Sequence, residues 1–122
     1  MNLNMTSKVI LTSKDQIKEL RNNQIFINGM DVETNNIISI QVTYSGGCKE
    51  HIFKLFGFID DNNKIILTLQ HNSNGDACKK IIKETLSFDL TPIKNEYQKL
   101  KNINNNFVIL ILKDREIKYN IR

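Results

Sequence analysis

Apolar residues in this chain recur at every second position, in short runs closed by Asn, Asp, Ser and Gly. A period of two puts alternate side chains on opposite faces of an extended strand, while Asn, Asp and Gly tolerate the left-handed backbone of tight turns. Ile38, Ile40 and Val42 mark one face of a run over 37–44. A run over 24–28 precedes it across a turn-rich segment containing Gly29, Asp31, Asn35 and Asn36. Runs over 51–58 and 64–71 flank Asp60–Asn63 and read as a hairpin. Two periods compete after that: Cys78, Ile81, Ile82 and Leu86 fit a helix, whereas Leu86, Phe88 and Leu90 alternate, and a strand over 82–90 is expected.

Thr91 followed by Pro92 predicts a short helix through Leu100, with the Thr91 hydroxyl as its cap. The Asn-rich stretch 102–106 reads as a loop. Phe107–Leu112 is a continuous apolar run, expected to be a strand buried on both faces, and Glu116–Ile121 an edge strand paired with it. Near the start, Val9–Leu11 suits a short strand and Asp15–Leu20 a helix capped by Ser13, although residues 1–22 are the hardest to place. The fold class expected is mostly β: an antiparallel β-sandwich or partly open barrel with one or two short helices.

A chain of 122 residues, 40% hydrophobic and 25% charged, supports one hydrophobic core and therefore one domain over 1–122. Its charge of +4 is spread without a basic stripe, so nucleic-acid binding is not expected. The most apolar stretch is far shorter than the roughly 20 residues of a membrane-spanning helix. The first residues, MNLNMTSKVILTSK, lack a signal-peptide core. A chain complete as given is expected in the cytoplasm, and one whose leader has been removed in the periplasm or outside the cell.

The sharpest chemical signal is the placement of two cysteines and two histidines. Cys48 and His51 are spaced Cys-x2-His, and His71 and Cys78 His-x6-Cys, on either side of the hairpin. Both histidines lie ten residues from Asp61, so a turn centred there sets them directly opposite each other at the ends of apolar strand faces. Cys48, His51, His71 and Cys78 then form a Cys2His2 set suited to Zn²⁺, with Cu(I) as the other thiolate-loving ion. Glu50 and Asp76 stand beside them and are expected to orient the imidazole N–H groups.

Two other readings stay open. In an oxidising compartment Cys48 and Cys78 form a disulfide across a loop of about 30 residues. Alternatively Cys48, following Gly46 and Gly47, is a catalytic thiol with a histidine as its base.

The strings Tyr44–His51 (YSGGCKEH), His71–Cys78 (HNSNGDAC) and Glu84–Pro92 (ETLSFDLTP) together resemble a group of small bacterial proteins of unassigned function, many exported or lipoprotein-like. The shared elements are Gly-Gly-Cys-x-x-His, His-x4-Asp-x-Cys and Phe-Asp-Leu-x-Pro. The resemblance implies that Cys48, His51, His71, Asp76 and Cys78 belong to one feature, and it brings no activity with it. The leading expectation is a non-enzymatic β domain that binds zinc or copper. The alternative is an interaction, inhibitor or immunity-type module with a Cys48–Cys78 disulfide, no metal and a protein partner. Third comes a thiol enzyme using Cys48.

Overall fold

In the computed structural model, residues 6–18, 20, 22–100 and 106–121 are described, and most of the Asn-rich stretch expected to be a loop lies outside them. Among the described residues the strands are β1 (Ser7–Lys8), β2 (Ile10–Leu11), β3 (Phe26–Glu33), β4 (Ile37–Gly46), β5 (Ile52–Ile59), β6 (Ile65–Asn72), β7 (Lys80–Asp89), β8 (Phe107–Leu112) and β9 (Arg115–Asn120). The helices are α1 (Lys14–Ile17) and α2 (Thr91–Gln98). Sheet order is β1-β7-β4-β3 in one layer and β2-β5-β6-β8-β9 in the other. The layers form a sandwich, and the barrel alternative falls away.

Inward side chains from both layers make one core. Ile38, Ile40 and Val42 of β4 and Phe88 of β7 meet Leu55, Ile65, Leu67, Leu110 and Leu112, and α2 adds Ile93 and Tyr97. The antiparallel expectation holds for β3–β4, β4–β7, β5–β6 and β8–β9, whereas β1–β7, β2–β5 and β6–β8 run parallel. Parallel neighbours need a crossover. Between β6 and β8 it is the excursion through β7 and α2. At the amino terminus one short extended segment serves both layers: Ser7–Lys8 pair with β7, Val9 turns inward at 3% exposure, and Ile10–Leu11 pair with β5.

Several local expectations shift for identifiable reasons. Gly29 and Asp31 lie within β3, which passes an irregularity between Ile27 and Gly29, and the turn contracts to Thr34–Asn36, with Asn35 and Asn36 at positive φ. β7 starts at Lys80, because every residue from there to Asp89 pairs with β4. Tertiary pairing outweighs the helical spacing of Cys78, Ile81 and Ile82.

Ser13 does cap α1, in a reciprocal box with Gln16, but that helix stops at Ile17. At α2 the cap position falls on Leu90, which makes no side-chain cap bond, rather than on Thr91; just before it, Asp89 Oδ1 accepts the Thr91 N–H (2.8 Å) and hydroxyl (2.6 Å). Strand β8 buries only Val108, Leu110 and Leu112, since one face alone meets the opposing sheet, and Phe107 remains 39% exposed. β9 lies at the sheet edge as expected.

The β5–β6 hairpin is centred on Asn62, with Ile59 opposite Ile65, rather than on Asp61. Asp60 sets that register. Its Oδ1 accepts the N–H groups of Asn62 (2.9 Å) and Lys64 (2.8 Å), and Asn63 takes the left-handed conformation (φ 61°) that closes a three-residue loop.

Candidate functional site

The convergence of Cys48, His51, His71 and Cys78 follows from two loops that cross between the layers side by side. Residues 47–51 carry the chain from β4 to β5, and residues 73–79 return it from β6 to β7. Each loop is pinned to the other at both ends, because Gly46 pairs with Lys80 in one sheet and Ile52 with Asn72 in the other. Gly47 makes the first turn at φ 111°, a conformation that glycine adopts without the steric cost of a Cβ. Between these anchors the Cα atoms of Cys48 and Cys78 come within 5.9 Å, and their sulfurs are bonded to each other.

Asp76 ties the loops a second time. Its Oδ2 accepts the N–H groups of Cys48 (3.1 Å) and Lys49 (3.0 Å), and its Oδ1 that of Cys78 (3.0 Å). The same Oδ2 lies 2.9 Å from His51 Nε2, with both side chains essentially sealed from solvent. The His51 hydrogen bond above all, helped by the three backbone N–H groups, holds the Asp76 carboxyl well below the usual carboxylate range against the opposing effect of burial.

His51 and His71 are not directly opposed; His71 faces Phe53, two residues along from His51 on the same strand face. The rings still meet, with His51 Nδ1 2.7 Å from His71 Nε2. His71 Nδ1–H donates to the Gln24 carbonyl at 3.1 Å. A line of three hydrogen bonds therefore runs from the Gln24 carbonyl through His71 and His51 to the Asp76 carboxylate.

The Gln24 carbonyl and the Asp76 carboxylate at the two ends are acceptors, met by His71 Nδ1–H and His51 Nε2–H. Burial above all, with the neighbouring His51 acting in the same direction, keeps the pKa of His71 below its ordinary value.

The surroundings are aromatic. Phe53 stacks nearly parallel on His71 at 4.9 Å, and Tyr44 packs against both imidazoles at 4.7 and 5.0 Å. The Tyr44 hydroxyl donates to Glu84, and burial followed by that carboxylate drives its pKa above the ordinary tyrosine value. Asn22 holds the β6 backbone, accepting the His71 N–H at 2.6 Å and donating to the Leu69 carbonyl at 2.8 Å.

The chemistry expected of these residues changes accordingly. Cys48 and Cys78 are bonded to each other rather than presented as thiolates, so they supply neither two zinc or copper ligands nor a nucleophile in this state. All four ring nitrogens of His51 and His71 are engaged in hydrogen bonds. Asp76 accepts from the His51 ring, whereas Glu50 is exposed at the surface of its loop.

The roles of Tyr44, Gln24 and Asn22, and the packing contributions of Phe53 and Gly46, escaped the sequence reading. Tyr44 was accessible through its parity with Ile40 and Val42. Gln24 acts through its backbone carbonyl, and the contribution of Gly46 is its missing side chain: a Cβ there would lie 2.6 Å from His51 Nε2 and 2.9 Å from Asp76 Oδ2.

The sequence profile of the NigD-like C-terminal beta sandwich domain matches residues 8–119, all but the outermost residues of both layers. The chain belongs to that family. Solved structures share the NigD-like fold at low identity. A NigD-like immunity protein from Bacteroides caccae has 15% identity and a TM-score of 0.64, over 95% of this chain and 59% of its own. A putative toxin-related protein from Parabacteroides distasonis has 17% identity and a TM-score of 0.63, over 96% and 62%.

A Bacteroides vulgatus protein of unknown function has 16% identity and a TM-score of 0.60, over 94% and 55%. The NigD-like chain thus spans 55 to 62% of the length of these solved chains. No curated protein matches it significantly. Among its described residues no helix is long and apolar enough to cross a membrane.

Proposed function

We propose that this chain is a non-enzymatic interaction module of the immunity type, acting by binding a protein partner through a surface that the Cys48–Cys78 disulfide holds in shape. The observation that carries this reading is that the candidate reactive groups are spent on one another. The sulfurs are joined, and each imidazole nitrogen is hydrogen-bonded within the sandwich. Such an arrangement rigidifies two loops and leaves no free nucleophile there. The likeness to the B. caccae immunity protein supports the same reading.

A transition-metal site is the second reading. The donor atoms of Cys48, Asp76 and Cys78 lie within 4.8 Å of one another. Holding zinc there first requires reduction of the disulfide and release of both thiol protons.

Thiol counting and metal analysis of the same tag-free sample, followed by affinity capture with that sample as bait, test the proposal. Zero free thiols, an unchanged fold after chelation and a saturable complex with a purified captured protein are expected. Two free thiols with about one equivalent of bound metal would reject it in favour of the metal site.

A further inference from the structure

At the same end of the sandwich, the outer face of the β1-β7-β4-β3 sheet carries two large apolar residues in the open. Phe26 is 57% exposed and Ile81 63%. Strand pairing sets them close together: Phe26 lies opposite Thr43, which is opposite Lys83, and the next row on that face is Ser45 opposite Ile81. Between them opens a recess of about 210 Å³, whose walls include Gln24, Tyr44, His71 and Asp76. Its size is below the roughly 300–1,000 Å³ of small-molecule sites and suits one large anchoring side chain.

The charged groups bordering this end have one dominant sign. Lys49, Lys79, Lys80 and Lys83 are exposed there, against the exposed carboxylates Glu50 and Glu84, and Glu84 already accepts from Tyr44. Asp76 lines the recess but faces His51 and three backbone N–H groups, so it offers little to a cation.

The loops behind the recess are locked twice, by the disulfide and by Asp76. A surface ordered in advance loses less entropy on association. Another hollow, about 680 Å³ between Leu11, Ile66 and Ile93, has Asp60, Asp61 and Glu96 against Lys14 among its described lining residues.

We infer that the Phe26–Ile81 recess is the partner-docking surface, and that its occupant is an acidic protein surface presenting one aromatic or large aliphatic side chain. The inference rests on the interaction-module reading and assigns its surface. The anchor enters between Phe26 and Ile81 while carboxylates around it face the lysines, an apolar centre inside a charged rim.

The test uses oxidised, isotope-labelled protein and a synthetic heptapeptide, Asp-Glu-Asp-Phe-Glu-Asp-Glu, with an all-Lys analogue around the same Phe. Saturable amide shifts are expected at Phe26, Thr43, Ser45 and Ile81, with a dissociation constant of about 1 mM or tighter. Binding should weaken at least about fivefold in Ile81→Asp and again as salt is raised. Both substitution sites are on an exposed face, so Phe26→Asp provides a second folded variant if Ile81→Asp misbehaves.

An equal response to the Lys analogue, no saturable shift, or shifts gathered around Leu11 and Ile93 would overturn the assignment. If a partner captured by the wild type still binds both Asp variants undiminished, the docking surface is wrong while the interaction module stands.

Discussion

Opening the Cys48–Cys78 bond is the perturbation whose cost is most directly set by the architecture. The bond closes a chain segment with a sequence separation of 30. In the loop-closure treatment, a cross-link of that span removes unfolded-state entropy equivalent to about 3.6 kcal/mol at 25 °C. The folded state should change little, because the Gly46–Lys80 and Ile52–Asn72 pairings and the Asp76 hydrogen bonds still hold the two loops together.

The cost therefore falls on the unfolded chain. With a melting entropy of about 0.26 kcal/mol/K for a domain of this length, Tm should drop by about 14 °C. Differential scanning calorimetry of oxidised protein, protein held reduced by a dithiol and the Cys48→Ala/Cys78→Ala variant measures this. The fold of each sample is checked by circular dichroism. A drop under about 4 °C in both reduced forms would mean that the unfolded chain is already constrained, or that the loops do not depend on the bond, and would refute the staple argument.

Gly46→Ala should destabilise by about 1–3 kcal/mol, read as a lower urea midpoint at unchanged m-value, because its Cβ would press on the buried His51–Asp76 contact. Acid should act in two stages. A histidine whose folded pKa is depressed takes its proton in the unfolded chain first, so the His71 contribution is full above its ordinary 6.5 and erodes as pH falls below it. The depressed Asp76 adds a second loss beginning near 3.8. A Tm that stays flat from about pH 7 to pH 5 in wild type would contradict the His71 assignment. Asp89→Ala removes both bonds to Thr91 at the start of α2 and should cost about 1 kcal/mol, visible as a Tm lower by about 4 °C.

The amino-acid sequence by itself determined the β class and most strand positions, and put Cys48, His51, His71 and Cys78 at the open end of one hairpin, because alternation and turn chemistry act over a few residues. Ser13, Asp60 and Asn63 do locally what their side chains and backbone preferences dictate. Helix or strand after Cys78 was decided elsewhere, by the ten-residue pairing of β7 with β4.

The same holds for the use of the two thiols. Free, metal-bound and disulfide-linked cysteines can have identical sequence spacing. What separates them is the distance between two loops, and that depends on strand partners in both layers. Once β4–β7 and β5–β6 are in register, the loops lie against each other with Cys48 and Cys78 5.9 Å apart at Cα, and Asp76 becomes the common acceptor between them. Local preference placed the reactive side chains at one end of the molecule; long-range register turned them into a staple and a buried line of hydrogen bonds.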